Sequence, residues 1–131
     1  MSRLRFACAA LTAAAGLASP GSVLVVAQPA RPAATITIGS HFYQPNPIYL
    51  AGGVPVRIVF ANRAGVPHEF KAPEFFRSAR ILSGAAPAGK IELAAGRGTT
   101  ISVTPRRGRY KVHCSKPFHA MLGMQGWIIV V

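Results

Sequence analysis

The chain has 131 residues, half of them hydrophobic, with fifteen Lys and Arg against three Glu and no Asp, a formal charge of +12 at pH 7. So few carboxylates leave almost no material for a paired-carboxylate or Ser/His/Asp hydrolytic centre. Such a basic field either attracts acidic partners in a salt-dependent way or is a solvated surface with no specific role.

The first residues read as a targeting segment. Met1 to Arg5 is a short basic stretch, Phe6 to Ala18 is uncharged and apolar, and Val25-Val26-Ala27 has the small-residue pattern of a cleavage site. Residues 1–27 are therefore expected to be a signal peptide that directs the chain to the periplasm. Residues 6–27 carry no charge and are long enough to span a bilayer, so an uncleaved anchor is the alternative, and membrane contact depends on it. Ser19-Pro20-Gly21-Ser22 interrupts the apolar run and favours cleavage. Export removes access to nucleic acid, and no interleaved basic and aromatic motif invites it. Cys8 leaves with the segment, so Cys114 is the one remaining thiol and no internal disulfide is available. A free thiol in an oxidising compartment is a metal ligand or an inert core residue.

Residues 28–34, with Pro29 and Pro32, read as a flexible lead-in, and residues 35–131 as one domain with a modest core. Thr35 to Ile38 alternates polar and apolar as a half-buried strand does. His41 to Pro47 is a proline-punctuated bend, and Ile48 to Leu50 is extended again. His41 is a ligand by type, but its distance in sequence from the other donors makes it surface or packing. Val54 to Ala61 is a long strand, and Asn62 to Pro67 is a turn-rich loop that ends at His68. Pro73 and Glu74 give a helix start, and a short helix near residues 73–82 is expected to cap the domain, with Phe75, Phe76 and Ala79 on one face. Lys90 to Leu93, Thr99 to Val103 and Arg109 to Cys114 follow as strands. Alternation puts Tyr110, Val112 and Cys114 on one face and turns Lys111 and His113 away. Trp127 to Val131 closes the chain as an apolar strand.

Between the last two strands lies a loop carrying Cys114, His119 and Met124, with four residues between each and the next. Thiolate and thioether are soft ligands, and imidazole suits copper. One Cys and two His with a weak axial Met form the blue-copper arrangement, so a second His must come from elsewhere. Zinc makes little use of a thioether. Met121 is a further thioether, read as core or rim packing. A Cys114–His119 nucleophile pair is conceivable but leaves His68 and Met124 without a role.

Asn62-Arg63-Ala64-Gly65-Val66-Pro67-His68 and Cys114…His119…Gly123-Met124-Gln125-Gly126 together resemble the plastocyanin-like branch of the cupredoxins, small type 1 blue copper proteins of the periplasm. The pattern Tyr43-x-Pro45-x-x-Ile48-x-Leu50-x-x-Gly53 resembles the opening of many of them. The resemblance covers roughly residues 35–131. It implies an all-β, Greek-key sandwich with one copper ion, His68, Cys114 and His119 as equatorial ligands, and Met124 as the axial one. It also implies that Asn62 ties its loop to Ser115, where the residues alone offer ordinary turn chemistry. Plastocyanin-type loops place two residues between Cys and His, whereas this one places four. Glu69, beside His68, offers an outer-shell carboxylate or a hard ligand, although strand alternation turns it away.

The function expected is electron transfer by one copper, not enzymic turnover. Cys114 is the electronic path, Met124 tunes the potential, and His119 is the solvent-facing edge ringed by Pro117, Phe118, Ala120, Met121 and Leu122. An acidic redox partner, a cytochrome or copper oxidoreductase, fits the charge. Copper delivery, storage or sensing without a redox partner is the alternative, and a metal-free structural domain is a third reading.

Overall fold

The computed structural model describes Gly21 and residues 31–131, so the targeting segment and most of the lead-in lie outside the described residues. Ten strands and one helix follow in order: β1 (Ala33–Ile38), β2 (Tyr43–Gln44), β3 (Ile48–Leu50), β4 (Val56–Asn62), β5 (His68–Lys71), α1 (Pro73–Ser78), β6 (Arg80–Ser83), β7 (Lys90–Leu93), β8 (Gly98–Thr104), β9 (Gly108–His113) and β10 (Gln125–Val130). They form two five-stranded sheets, β2-β1-β4-β8-β6 and β3-β10-β9-β5-β7. The chain passes between the sheets repeatedly, so β1 lies parallel to β4, and β10 parallel to β3. The result is the expected β-sandwich.

Alternation of side chains builds the interior. Val56, Ile58 and Phe60 of β4 are buried, as are Ile101 and Val103 of β8, Tyr110 and Val112 of β9, and Ile128 and Val130 of β10. The inner faces interdigitate through aromatic rings. Phe70 meets Phe60 at 4.8 Å and Tyr43 at 5.3 Å between centroids, and Phe75 meets Tyr110 at 5.5 Å. Each such side chain stabilises the fold by roughly 1.5–3 kcal/mol when removed from water.

Most strand ends differ from the sequence reading by one or two residues, β4 opening at Val56 and β10 at Gln125, and two differences have a clear physical reason. β1 begins at Ala33, two residues before the alternating stretch, because its backbone ladder with β4 starts there and requires no apolar side chain. The helix stops at Ser78 instead of continuing to residue 82. Arg80 and Ile81 pair with Thr104 and Val103 as an edge strand, so Ile81 and Leu82 belong to a sheet. Phe75 and Phe76 are buried as the helix reading requires.

Candidate metal centre

The ligand-type side chains gather at one end of the sandwich. β5 opens on His68, whose backbone pairs with Leu93 of β7. β9 delivers Cys114 just beyond its last residue, and β10 begins just after Met124. A mutual backbone contact closes the loop: the Cys114 N–H donates to the Met124 carbonyl at 3.1 Å. Inside it, the Met124 N–H donates to the His119 carbonyl and the His119 N–H to the Lys116 carbonyl. Gly123 holds φ at +103°, a conformation that favours glycine. Gly126 answers a different need. The Asn46 side chain lies over it, donating to the Gln125 carbonyl and accepting from the Trp127 N–H, and a Cβ there would collide with the Asn46 amide.

His68 Nδ1 and His119 Nδ1 are 3.1 Å apart, and Cys114 Sγ is 3.4 Å from His119 Nδ1. One donor atom from each of the three residues lies within 4.8 Å of the other two. Cys114 and His68 are buried, and His119 is partly exposed. Two imidazole nitrogens and a thiol sulfur are thus close enough together to share one cation. Burial first, then the neighbouring His119, His41 and Lys116, holds His68 below its ordinary pKa, which favours the neutral imidazole that a metal requires. The donor set, two imidazoles and a thiol, fits copper.

Met124 is fully buried, whereas Met121 is 83% exposed on the loop surface. His113 points away from the cluster as alternation requires, opposite Lys71 on the outer face of its sheet. Its pKa is lowered by burial, then by Lys71 and Lys111. His41, distant in sequence, lies edge-on to His119 with ring centroids 5.9 Å apart. It belongs to the surround of the site.

The brace expected between Asn62 and Ser115 is absent from the described contacts. Asn62 is buried and accepts from the Ala64 N–H, while its amide donates to the carbonyls of Val66, Leu93 and Ala94. Its reach ends at its own turn and the end of β7. Ser115 is held by Glu69 instead: Glu69 Oε2 accepts from both the Ser115 N–H and the Ser115 hydroxyl. Lys90 Nζ donates to the other carboxylate oxygen at 3.2 Å. Burial alone would raise the Glu69 pKa, but the hydrogen bonds from Ser115 and Lys90 outweigh it and bring the carboxyl down to about 2.

The family model described as a cupredoxin-like domain matches residues 7–130. The chain belongs to the cupredoxin-like family. This cupredoxin domain is similar in fold to the dithionite-reduced auracyanin of the photosynthetic bacterium Roseiflexus castenholzii, at 21% identity and a TM-score of 0.54, covering 74% of this chain and 96% of that one. Auracyanin B is similar at 20% identity and TM-score 0.53, with 85% and 96% covered. The multicopper oxidase of Campylobacter jejuni is similar at 12% identity and TM-score 0.59 over 83% of this chain. The cupredoxin domain spans only 32% of that oxidase. At these identities the likeness is one of fold. No curated protein matches the chain by sequence.

Proposed function

We propose that this cupredoxin domain is a periplasmic electron carrier that holds one copper ion through His68, Cys114 and His119, with Met124 as weak axial donor. The observation that carries the reading is the convergence of His68 Nδ1, His119 Nδ1 and Cys114 Sγ at the loop-bearing end of the sandwich. The full burial of Met124 and the exposure of Met121 support Met124 as the fourth ligand. Bound copper supplies a one-electron couple there. The protein's own part is to hold the donors from two separate segments, to keep water from Cys114, and to bring the edge of His119 to the surface. Phe118 at 73% exposure, Met121 and Leu122 surround that edge and offer an apolar docking rim. The auracyanin and multicopper-oxidase likenesses are consistent with a copper role.

The excess of positive charge favours an acidic redox partner, a cytochrome or a copper oxidoreductase. The signal-like residues 1–27 support export. Adding Cu(II) to the purified protein tests the reading. Strong absorption near 600 nm, expected from the cupredoxin resemblance, together with reversible reduction fits the carrier, and failure to bind copper overturns it. Copper delivery without a redox partner draws on the exposed Met121 and on His41 beside His119, and its signature is a colourless protein that holds Cu(I) alone.

A further inference from the structure

Of the three acidic side chains, Glu92 and Glu74 are exposed and only Glu69 is buried. A buried carboxylate is costly unless it is paired and hydrogen-bonded, so its partners show what holds it there. They converge on the metal centre. β5, which carries His68, and β9, which leads to Cys114, are paired in register at one position, Lys71 with His113. Two residues closer to the donors, the places of the next pair are held by Glu69 and Ser115. Their link runs through the Glu69 side chain, across 46 residues of sequence. Lys90 on β7 holds the second carboxylate oxygen and also reaches Glu92 at 2.8 Å. From the interior, the Tyr43 hydroxyl donates to the Glu69 carbonyl at 2.5 Å.

We propose that Glu69 is the positioning residue of the metal centre: its carboxylate takes both donors of Ser115 and so fixes the Cys114 side of the site against the His68 side, with Lys90 as its counter-charge. The proposal rests on the copper reading for its effect on the metal, but the brace itself belongs to the metal-free chain. A carboxylate suits the task because both of its oxygens only accept, one toward Ser115 and one toward the ammonium. An amide in its place turns an NH2 group toward Lys90 or toward Ser115. The carboxylate also places a fixed negative charge beside the Cys114 segment, which favours Cu(II) over Cu(I).

The test compares wild type with Glu69→Ala, Glu69→Gln, Lys90→Met and the double variant Glu69→Gln/Lys90→Met. In the metal-free proteins, exchange of the Ser115 amide should be at least about tenfold faster in Glu69→Ala, the factor for one lost hydrogen bond. Copper affinity should fall on the order of 10–100-fold, as for other groups that orient a ligand without touching the metal. Glu69→Gln should have a higher reduction potential than wild type. Removing the unpartnered ammonium in Glu69→Gln/Lys90→Met should recover part of the affinity lost in Glu69→Gln, which a mere space-filling role does not predict. If Glu69→Ala fails to fold, Glu69→Leu, which has no acceptor either, carries the amide measurement, and the Gln variants carry the potential. Wild-type exchange at Ser115 in a folded variant without an acceptor at position 69, or an unchanged potential and affinity in the folded Glu69 variants, overturns the proposal. Failure of the wild type to bind copper sinks the carrier reading instead, and the Ser115 amide still decides the brace.

Discussion

Sulfur sets the character of the site at the scale of single residues. Cys114 is buried and 3.4 Å from His119 Nδ1, and its side chain is small, so Cys114→Ser should leave the sandwich folded while abolishing copper–thiolate absorption. Full colour in that variant would refute thiolate ligation. His68→Ala and His119→Ala should each lower copper affinity by more than the roughly 10–100-fold typical of supporting residues. His113→Ala should not, since that ring faces Lys71 on the outer side of the sheet. Equal damage from His113→Ala in a copper titration would reverse the assignment. The two thioethers can be separated by voltammetry. Met124→Leu should raise the reduction potential, because losing a weak donor favours Cu(I), with copper still held by Cys114, His68 and His119. Met121→Leu should act only on the exposed rim, so a large shift there with none for Met124→Leu would exchange their roles.

At the scale of elements, the loop before His68 depends on one side chain. Asn62 makes four hydrogen bonds, joining the turn at Ala64 and Val66 to the end of β7. Asn62→Ala leaves those backbone groups short of partners and should cost about 2–3 kcal/mol. The check is urea unfolding, with a lower midpoint and an unchanged slope; a loss within a few tenths would show that water replaces the amide. Much of this level was legible beforehand. The strands β7, β8 and β9 follow from period-two alternation, β4 and β10 from extended apolar runs, and the loop at 114–124 from its flanking strands. The helix was read too long because Ile81 and Leu82 suit an amphipathic helix as well as an edge strand, and only pairing with β8 decides. Alternation turned Glu69 outward correctly, but outward here is not exposed, since Lys90 and Ser115 cover it. His41 was set aside on sequence distance, which the fold of the proline-rich bend removes. A carboxylate directly after a ligand in so basic a chain was the available signal for Glu69.

For the whole molecule, charge and polarity of the fold matter more than any one contact. On the proposed carrier reading, electron exchange with an acidic partner should slow steeply as ionic strength rises, because steering between opposite charges is screened within about 10 Å at 0.1 M salt. A rate that ignores salt, followed by stopped-flow mixing, would leave the basic surface without a role in docking. The ends of the domain have a fixed relation to the cluster of His68, Cys114 and His119. β1 runs from Ala33, beside Arg57, to Ile38, beside Asn62 at the start of the loop before His68. β10 runs the opposite way, from Gln125 beside His113 to Val130 beside Gly108. Six residues of strand, roughly 20 Å, therefore separate Val131 from the donor cluster, and the chain both enters and leaves at the far pole. Fastened to a solid support through a linker at Val131, the protein should present its His119 edge to the bathing solution in every copy. Coupling instead through Lys116, inside the loop, should bury that edge against the support and silence exchange with soluble reagents.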